Sequence, residues 1–224
     1  MPAPAEPARS AGGRRWADLR LRVVSAAVLA PVVLACLWIG GPVWDVLVVL
    51  AALGMLDEWR RMRLGAALGL AGAGWSVLAA VAFIWLRQDA AVGRINVVFV
   101  VAVVWASDIG AYAAGRLIGG RRLAPRISPG KTWSGAAGGL LAAVLVGFGV
   151  GRVSGGAVAA VLSVLAQIGD LTESAAKRRG GVKDSGTLIP GHGGLLDRLD
   201  GMLAAGPAAA LLAFGLGPGV ALWQ

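Results

Sequence analysis

The sequence predicts an all-α protein, a polytopic transmembrane helical bundle of about seven spans around a polar site that faces the cytoplasm. Three observations predict it. Hydrophobic residues make up 57% of the 224 and charged residues only 15%, with a mean hydropathy of +0.73, whereas a soluble domain gives about a quarter of its residues to charge. The apolar residues fall into runs near the length of a bilayer crossing, roughly 22–40, 42–56, 64–86, 95–115, 133–151, 155–173 and 201–222. Between alternate runs, the cations gather.

Taken in order, residues 1–21 open with MPAPAEPARSAGGRR and read as a flexible cytoplasmic tail. The run after it is long for a signal-peptide core and has no A-x-A site near it, so it reads as a retained anchor. It holds the single cysteine, Cys36, which offers neither a disulfide nor redox chemistry. Residues 22–104 read as N-terminal transmembrane helices, and 105–224 as a C-terminal transmembrane region that carries most of the polar signals. No internal repeat is visible.

With no water in the bilayer core, the backbone of each run must bond to itself as a helix or within a closed barrel. The apolar residues are continuous rather than alternating, which excludes the barrel. Buried helices of a soluble protein would need polar faces, and these runs have none.

Charge gives the orientation. The net charge is +9. Arg9, Arg14, Arg15, Arg20 and Arg22 precede the first run, and Arg60, Arg61 and Arg63 follow the second. Arg116, Arg121, Arg122, Arg126 and Lys131 follow the fourth. Lys177, Arg178, Arg179, Lys183 and Arg198 lie between the sixth and seventh. Of the 21 Lys and Arg, only Arg87, Arg94 and Arg152 stand elsewhere. By the positive-inside rule the N-terminus is cytoplasmic and the C-terminus is outside, in a multi-pass protein of the cell inner membrane. The bland account of the charge is orientation plus attraction to anionic headgroups. Nucleic acid is excluded as a partner, because no soluble domain presents a basic patch.

Three polar blocks fall on that one side: DEWRRMR (57–63) as a short inner loop, SDIGAYAAGRLIGGRRLAPRISPGKTW (107–133), and QIGDLTESAAKRRGGVKDSGTLIPGHGGLLDRLD (167–200). On a helix, Asp170, Glu173, Ser174 and Lys177 recur at i, i+3, i+4 and i+7 and share a face. Ionisable groups in a span are costly and mark a functional path by default; the alternative is a solvated helix end with a Glu173–Lys177 pair. Asp108, at the end of the fourth span, carries the same cost.

Gly191, Gly193 and Gly194 permit positive φ and can expose N–H groups to an anion. Asp197 and Asp200 follow near a helix start, where the dipole also favours carboxylates with no further role. His192, the only histidine, has no partners for a zinc site; it is either a hydrogen-bond donor to phosphate or a clasp for the turn. Ser128, Gly130 and Lys131 have the composition of a phosphate-handling loop. SPGKT is no Walker A motif, since Pro125 stands where glycine is required and no strand is expected before it.

Carboxylates interleaved with Lys and Arg, with no nucleophilic cysteine and no Ser–His–Asp order, suit Mg²⁺-assisted phosphoryl or nucleotidyl transfer. Mg²⁺ takes one or two carboxylates and fills its shell from substrate phosphates.

Ser174, Lys177, Arg178, Lys183, Asp184, Gly186, Ile189, Pro190, His192, Gly193, Gly194, Asp197, Arg198 and Asp200 match, in register, the signature of the CDP-diacylglycerol synthases, or phosphatidate cytidylyltransferases. SDIGAYAAGR, LAPRISPGKTW and QIGDLTES resemble that family's other blocks, so the resemblance covers about residues 105–201. It implies a membrane enzyme of phospholipid biosynthesis that joins CTP and phosphatidate into CDP-diacylglycerol and pyrophosphate with Mg²⁺. It implies that Asp170 and Asp197 hold the metal; the residues themselves add the expectation of catalytic roles for Asp170, Asp197 and Lys177, with Asp108 assisting or ordering the metal site. Substrate contacts are expected from Ser128, Lys131, Arg178, Lys183, His192, Gly193, Gly194 and Arg198. Ser134 departs from the family's usual Glu after KTW, and the stretch from Trp133 to Gln167 is compact. A homodimer is an open alternative to a monomer. Two rival readings are a transporter with intramembrane carboxylates and a related lipid transferase with another nucleotide or acceptor.

Overall fold

The computed structural model describes residues 11–189 and 193–224. Six helices and one short hairpin follow each other: α1 (Ala11–Ile39), α2 (Gly41–Arg61), α3 (Ala66–Gln88), α4 (Gly93–Leu117), β1 (Arg122–Ala124), β2 (Ser128–Thr132), α5 (Trp133–Arg179) and α6 (Leu196–Leu216). Continuous apolar sequence therefore folds as helix, as expected.

Where each helix stops has a local cause. Between α1 and α2 the chain turns at Gly40 and Gly41, with φ of 70° and 53°, a region a side chain would strain. Pro42 then stands in the first turn of α2, where its missing N–H costs nothing. The link between α3 and α4 is organised by Asp89, whose carboxylate accepts N–H bonds from Ala91 at 2.9 Å and Val92 at 3.0 Å. Thr132 begins α5, its hydroxyl accepting the Gly135 N–H at 3.0 Å.

The 47 residues of α5 are not one rod. Gly151 and Arg152 leave helical geometry, Arg152 with φ 52° and ψ −132°, and the two arms double back on each other. A Cβ added to Gly147 would stand 2.5 Å from the Cβ of Ala159. The expected runs 133–151 and 155–173 are these two arms.

Lipid supplies no hydrophobic drive between helices, so close approach of small residues has to hold them. The first arm of α5 meets α4 in this way: a Cβ on Gly139 would lie 2.6 Å from the Ser107 carbonyl oxygen. The core at the centre joins Val97, Val100 and Val103 of α4 to Leu162 of α5 and Leu196 and Leu203 of α6. Outward the pattern is the reverse of a soluble protein's, with Leu70, Leu211 and Phe214 each more than 70% exposed. Four helices, α3 to α6, are long and apolar enough to cross a membrane.

Three expectations are corrected. DEWRRMR is not a loop, because α2 runs on through Arg61 and places Asp57 and Arg61 as an exposed i,i+4 pair 2.6 Å apart. Helix α4 likewise continues to Leu117, so Asp108 lies well within it rather than at its end. The chain is also not wholly helical. Arg122 pairs with Thr132 and Ala124 with Ser128 in an antiparallel hairpin, so a strand does precede SPGKT. The missing P-loop glycine at position 125 still excludes that motif.

Candidate active site

The second arm of α5 carries Asp170, Glu173, Ser174 and Lys177, spaced so that neighbours one turn apart meet. The Ser174 hydroxyl donates to Asp170 Oδ1 at 3.4 Å, and Lys177 Nζ lies 2.7 Å from Glu173 Oε2. Glu173 is fully buried at 0% exposure, so the Glu173–Lys177 pair is not a solvated helix end. Lysine 177 also reaches Asp197 Oδ1 of α6 at 2.6 Å. Beside it, Lys131 of β2 pairs with Asp170 Oδ2. The two carboxylates expected at the site therefore each hold a lysine ammonium.

Asp197 is fixed from its other side by backbone. Its Oδ2 accepts the N–H groups of Ser185 and Gly194, each at 3.0 Å. Gly193 makes the turn that brings the second amide round, with φ 85° and its carbonyl accepting the Ile189 N–H at 3.0 Å. Gly194 is glycine for want of space: a Cβ there would stand 2.8 Å from Gly186 N and 2.9 Å from Asp197 Oδ2. The glycine turn thus offers the Gly194 amide to a side-chain carboxylate.

A cavity of about 490 Å³ lies over these groups. Asp108, Asp170, Asp197 and Asp200 all line it, with Lys131 and Arg116 as cations and Tyr112, Thr132 and Gln167 among its other walls. Three helices contribute, and the hairpin closes one side with Gly130, Lys131 and Thr132. The Arg178 guanidinium donates to the carbonyls of Ile127 at 3.1 Å and Val182 at 3.2 Å, pinning the hairpin turn to the loop after α5.

Of the expected site residues, Asp108, Asp170, Asp197 and Lys131 come together on this cavity, with Lys177 directly behind Asp197. Ser128, Arg178, Lys183, Gly193, Gly194 and Arg198 are not among the described residues that line it. His192 lies outside the described residues. Ser134, in place of the family's Glu, donates to the Gly119 carbonyl and sits 3.0 Å from Thr132 Oγ1, so it helps close the start of α5.

Sequence reasoning undervalued Asp200 and missed Gln167, though each stands three residues from a singled-out Asp and so shares its helical face. It also missed Glu58. That side chain is 2% exposed and accepts N–H bonds from Leu195 and Leu196, each at 2.8 Å. No local signal marks it, since its partners stand 137 and 138 residues away.

The donor set suits a hard divalent cation. All four acidic groups on the cavity offer oxygen, and no cysteine lines it. Among the described residues, no three His, Cys, Asp or Glu side chains form a ready cage. A Mg²⁺ ion bound by one or two carboxylates and completed by water and phosphate oxygens needs none.

This arrangement is a helical bundle of the membrane-spanning class that encloses carboxylates and a lysine in one cavity. The chain belongs to the cytidylyltransferase family, whose sequence profile matches residues 64–215. It is 49% identical over 176 residues to the phosphatidate cytidylyltransferase of Brucella suis biovar 1 (strain 1330), which covers 75% of this chain and 63% of that protein. It is 34% identical over 209 residues to the protein of that name from Rickettsia bellii (strain RML369-C), covering 87% of this chain and 90% of that one. The matched region thus spans less than two thirds of the Brucella relative's length.

Proposed function

We propose that this chain is an integral membrane phosphatidate cytidylyltransferase, making CDP-diacylglycerol and pyrophosphate from CTP and phosphatidate. The observation that carries the reading is the single cavity lined by Asp108, Asp170, Asp197 and Asp200 with Lys131 at its wall. The names of the relatives supply the substrates. Phospholipid biosynthesis is the setting, and the nucleotide and the lipid are the partners; nucleic acid is not one.

In this reaction a phosphate oxygen of phosphatidate attacks the α-phosphorus of CTP. A new P–O–P linkage forms, the bond from the α-phosphorus to the bridging oxygen breaks, and pyrophosphate leaves with its electron pair. No covalent nucleophile from the protein is needed, so positioning and charge carry the rate. Asp170 and Asp197 would hold Mg²⁺, with Asp108 beside them; when bound, the ion neutralises charge on the triphosphate. Lys131 leaves Asp170 to meet phosphate oxygens, while Lys177 orients Asp197. Lys183, Arg198 and His192 are candidates for the pyrophosphate end. Arg178 acts by holding the hairpin, and Gly193 and Gly194 by shaping the cradle of Asp197.

The membrane reading has seven crossings: α1, α2, α3, α4, both arms of α5, and α6. The cations flanking Asp57, Asp108 and Asp170 support a cavity at the cytoplasmic side of the inner membrane, by the positive-inside rule. There CTP reaches it from water and phosphatidate from the lipid. A homodimer is compatible with the exposed apolar surface.

The test is pyrophosphate release by the purified protein given CTP, phosphatidate and Mg²⁺, with Asp170→Asn and Asp197→Asn beside the wild type. Both variants are expected to lose at least a hundredfold in turnover while inserting normally. Full turnover in either removes that residue from the reaction.

A further inference from the structure

Glu58 lies outside residues 64–215, where the family match falls, and its position at the end of α2 looks like the least chemical part of the chain. Its neighbour Asp57 makes an ordinary surface pair with Arg61. Glu58 instead points inward. Its Oε1 accepts the Leu195 N–H at 2.8 Å, and Oε2 accepts the Leu196 N–H at 2.8 Å and the Ser185 hydroxyl at 3.0 Å. A buried carboxylate is costly unless its lone pairs are filled; here three donors fill them. Two are amides at the start of α6, which have no partner within the helix.

The third donor gives Glu58 more than a capping role. Ser185 binds Glu58 through its side chain and Asp197 through its backbone, its N–H lying 3.0 Å from Asp197 Oδ2 and 3.3 Å from Oδ1. Gly194, the other amide on Asp197, is bonded directly to Leu195, which Glu58 also holds. Both amides that orient Asp197 are thus set by one carboxylate on a different helix. Gly186 completes the fit, since a Cβ there would stand 2.7 Å from Glu58 Oε1. With both amides on Oδ2, Lys177 takes Oδ1 at 2.6 Å.

We propose that Glu58 is a positioning residue for Asp197. It holds Ser185, Leu195 and Leu196 where their neighbouring amides present this carboxylate to the cavity. This rests on the reading of Asp197 as a holder of the divalent ion. Groups behind a metal-binding carboxylate typically change metal affinity or activity by about 10–100-fold.

The test uses the full chain in lipid nanodiscs and measures turnover, Mg²⁺ half-saturation and thermal midpoint for the wild type, Glu58→Ala, Glu58→Gln and Ser185→Ala. Glu58→Ala is expected to raise Mg²⁺ half-saturation about tenfold or more and to lower kcat. Gln keeps one acceptor oxygen and can donate to Ser185 Oγ, so Glu58→Gln falls between Ala and wild type and covers the case in which Glu58→Ala does not fold. Trp59→Phe, a buried change next door whose indole otherwise donates to Ser76 Oγ at 3.0 Å, lowers the thermal midpoint without moving Mg²⁺ half-saturation.

Unchanged kcat and Mg²⁺ dependence in Glu58→Gln, or an equal shift in Trp59→Phe, overturns the proposal. Asp197→Asn in the same assay separates the two ideas. If it is dead while the Glu58 variants match wild type, only the Glu58 proposal fails; if it is fully active, the reading beneath both fails.

Discussion

Lys177 and Asp197, on different helices and twenty residues apart in the chain, meet at 2.6 Å. The same ammonium lies 2.7 Å from Glu173, so one buried cation balances two carboxylates. Removing one partner of a buried pair costs about 3–5 kcal/mol, because the remaining charge is left without compensation. Lys177→Met is expected to destabilise by that order and to abolish turnover. Glu173→Gln in the same chain should restore part of the stability and none of the activity. Thermal unfolding in detergent beside the pyrophosphate assay reads both; a double variant no more stable than Lys177→Met contradicts the account.

Glycines divide sharply by surroundings. An added methyl on Gly194 meets Ser185 Oγ, Gly186 N and Asp197 Oδ2, so Gly194→Ala must open the cradle that orients Asp197. Gly69 in α3 has nothing within 4 Å of an added Cβ, and alanine there gains helix propensity, up to about 1 kcal/mol. The expectation is at least a tenfold loss of turnover for Gly194→Ala and none for Gly69→Ala. Active Gly194→Ala would mean that the cradle is looser than its geometry.

That contrast bears on what the sequence could reveal. The helices were legible because every apolar run has to satisfy its own backbone, and even the break at Gly151–Arg152 falls where one expected run ends, before the next begins. Helix ends were less legible: DEWRR reads as a loop by charge, yet α2 continues because Glu58 finds its partners inside the protein. The hairpin at 122–132 is too short to show alternation. Asp170, Asp197, Asp108 and Lys131 stood out because charge is rare in such a chain. Arg178 stood out equally and binds backbone carbonyls instead, since a motif fixes residue type and not where a long side chain lands.

Within the helices, the Ser107 and Ser163 hydroxyls lie 2.8 Å apart, both fully buried, and Gln167 Nε2 donates to both at 3.4 and 3.3 Å. A hydrogen bond between spanning helices contributes about 0.6 kcal/mol on average and up to about 1.7. A lone hydroxyl left behind adds its own desolvation cost. Ser107→Ala and Ser163→Ala should therefore each cost more than half of what the double variant costs. Strict additivity across the cycle would show that the two hydroxyls do not interact.

Asp89, in the link between α3 and α4, answers to pH. Its Oδ2 accepts the Gly219 N–H at 2.7 Å, joining this link to the segment after α6, while Oδ1 accepts from Ala91 and Val92. These backbone bonds, that from Gly219 foremost, hold its carboxyl below its usual value. A carboxylate whose folded pKa is depressed stabilises the fold above the unfolded value, about 3.9, and loses that contribution as pH falls through the folded one. Asp89→Asn keeps an acceptor oxygen and cannot titrate. The wild type should unfold at a higher temperature than Asp89→Asn at pH 7, and the gap should close as pH drops below about 4. Thermal midpoints in detergent across that range measure it, and a gap that stays constant would show that the Gly219 bond does not depend on the charge.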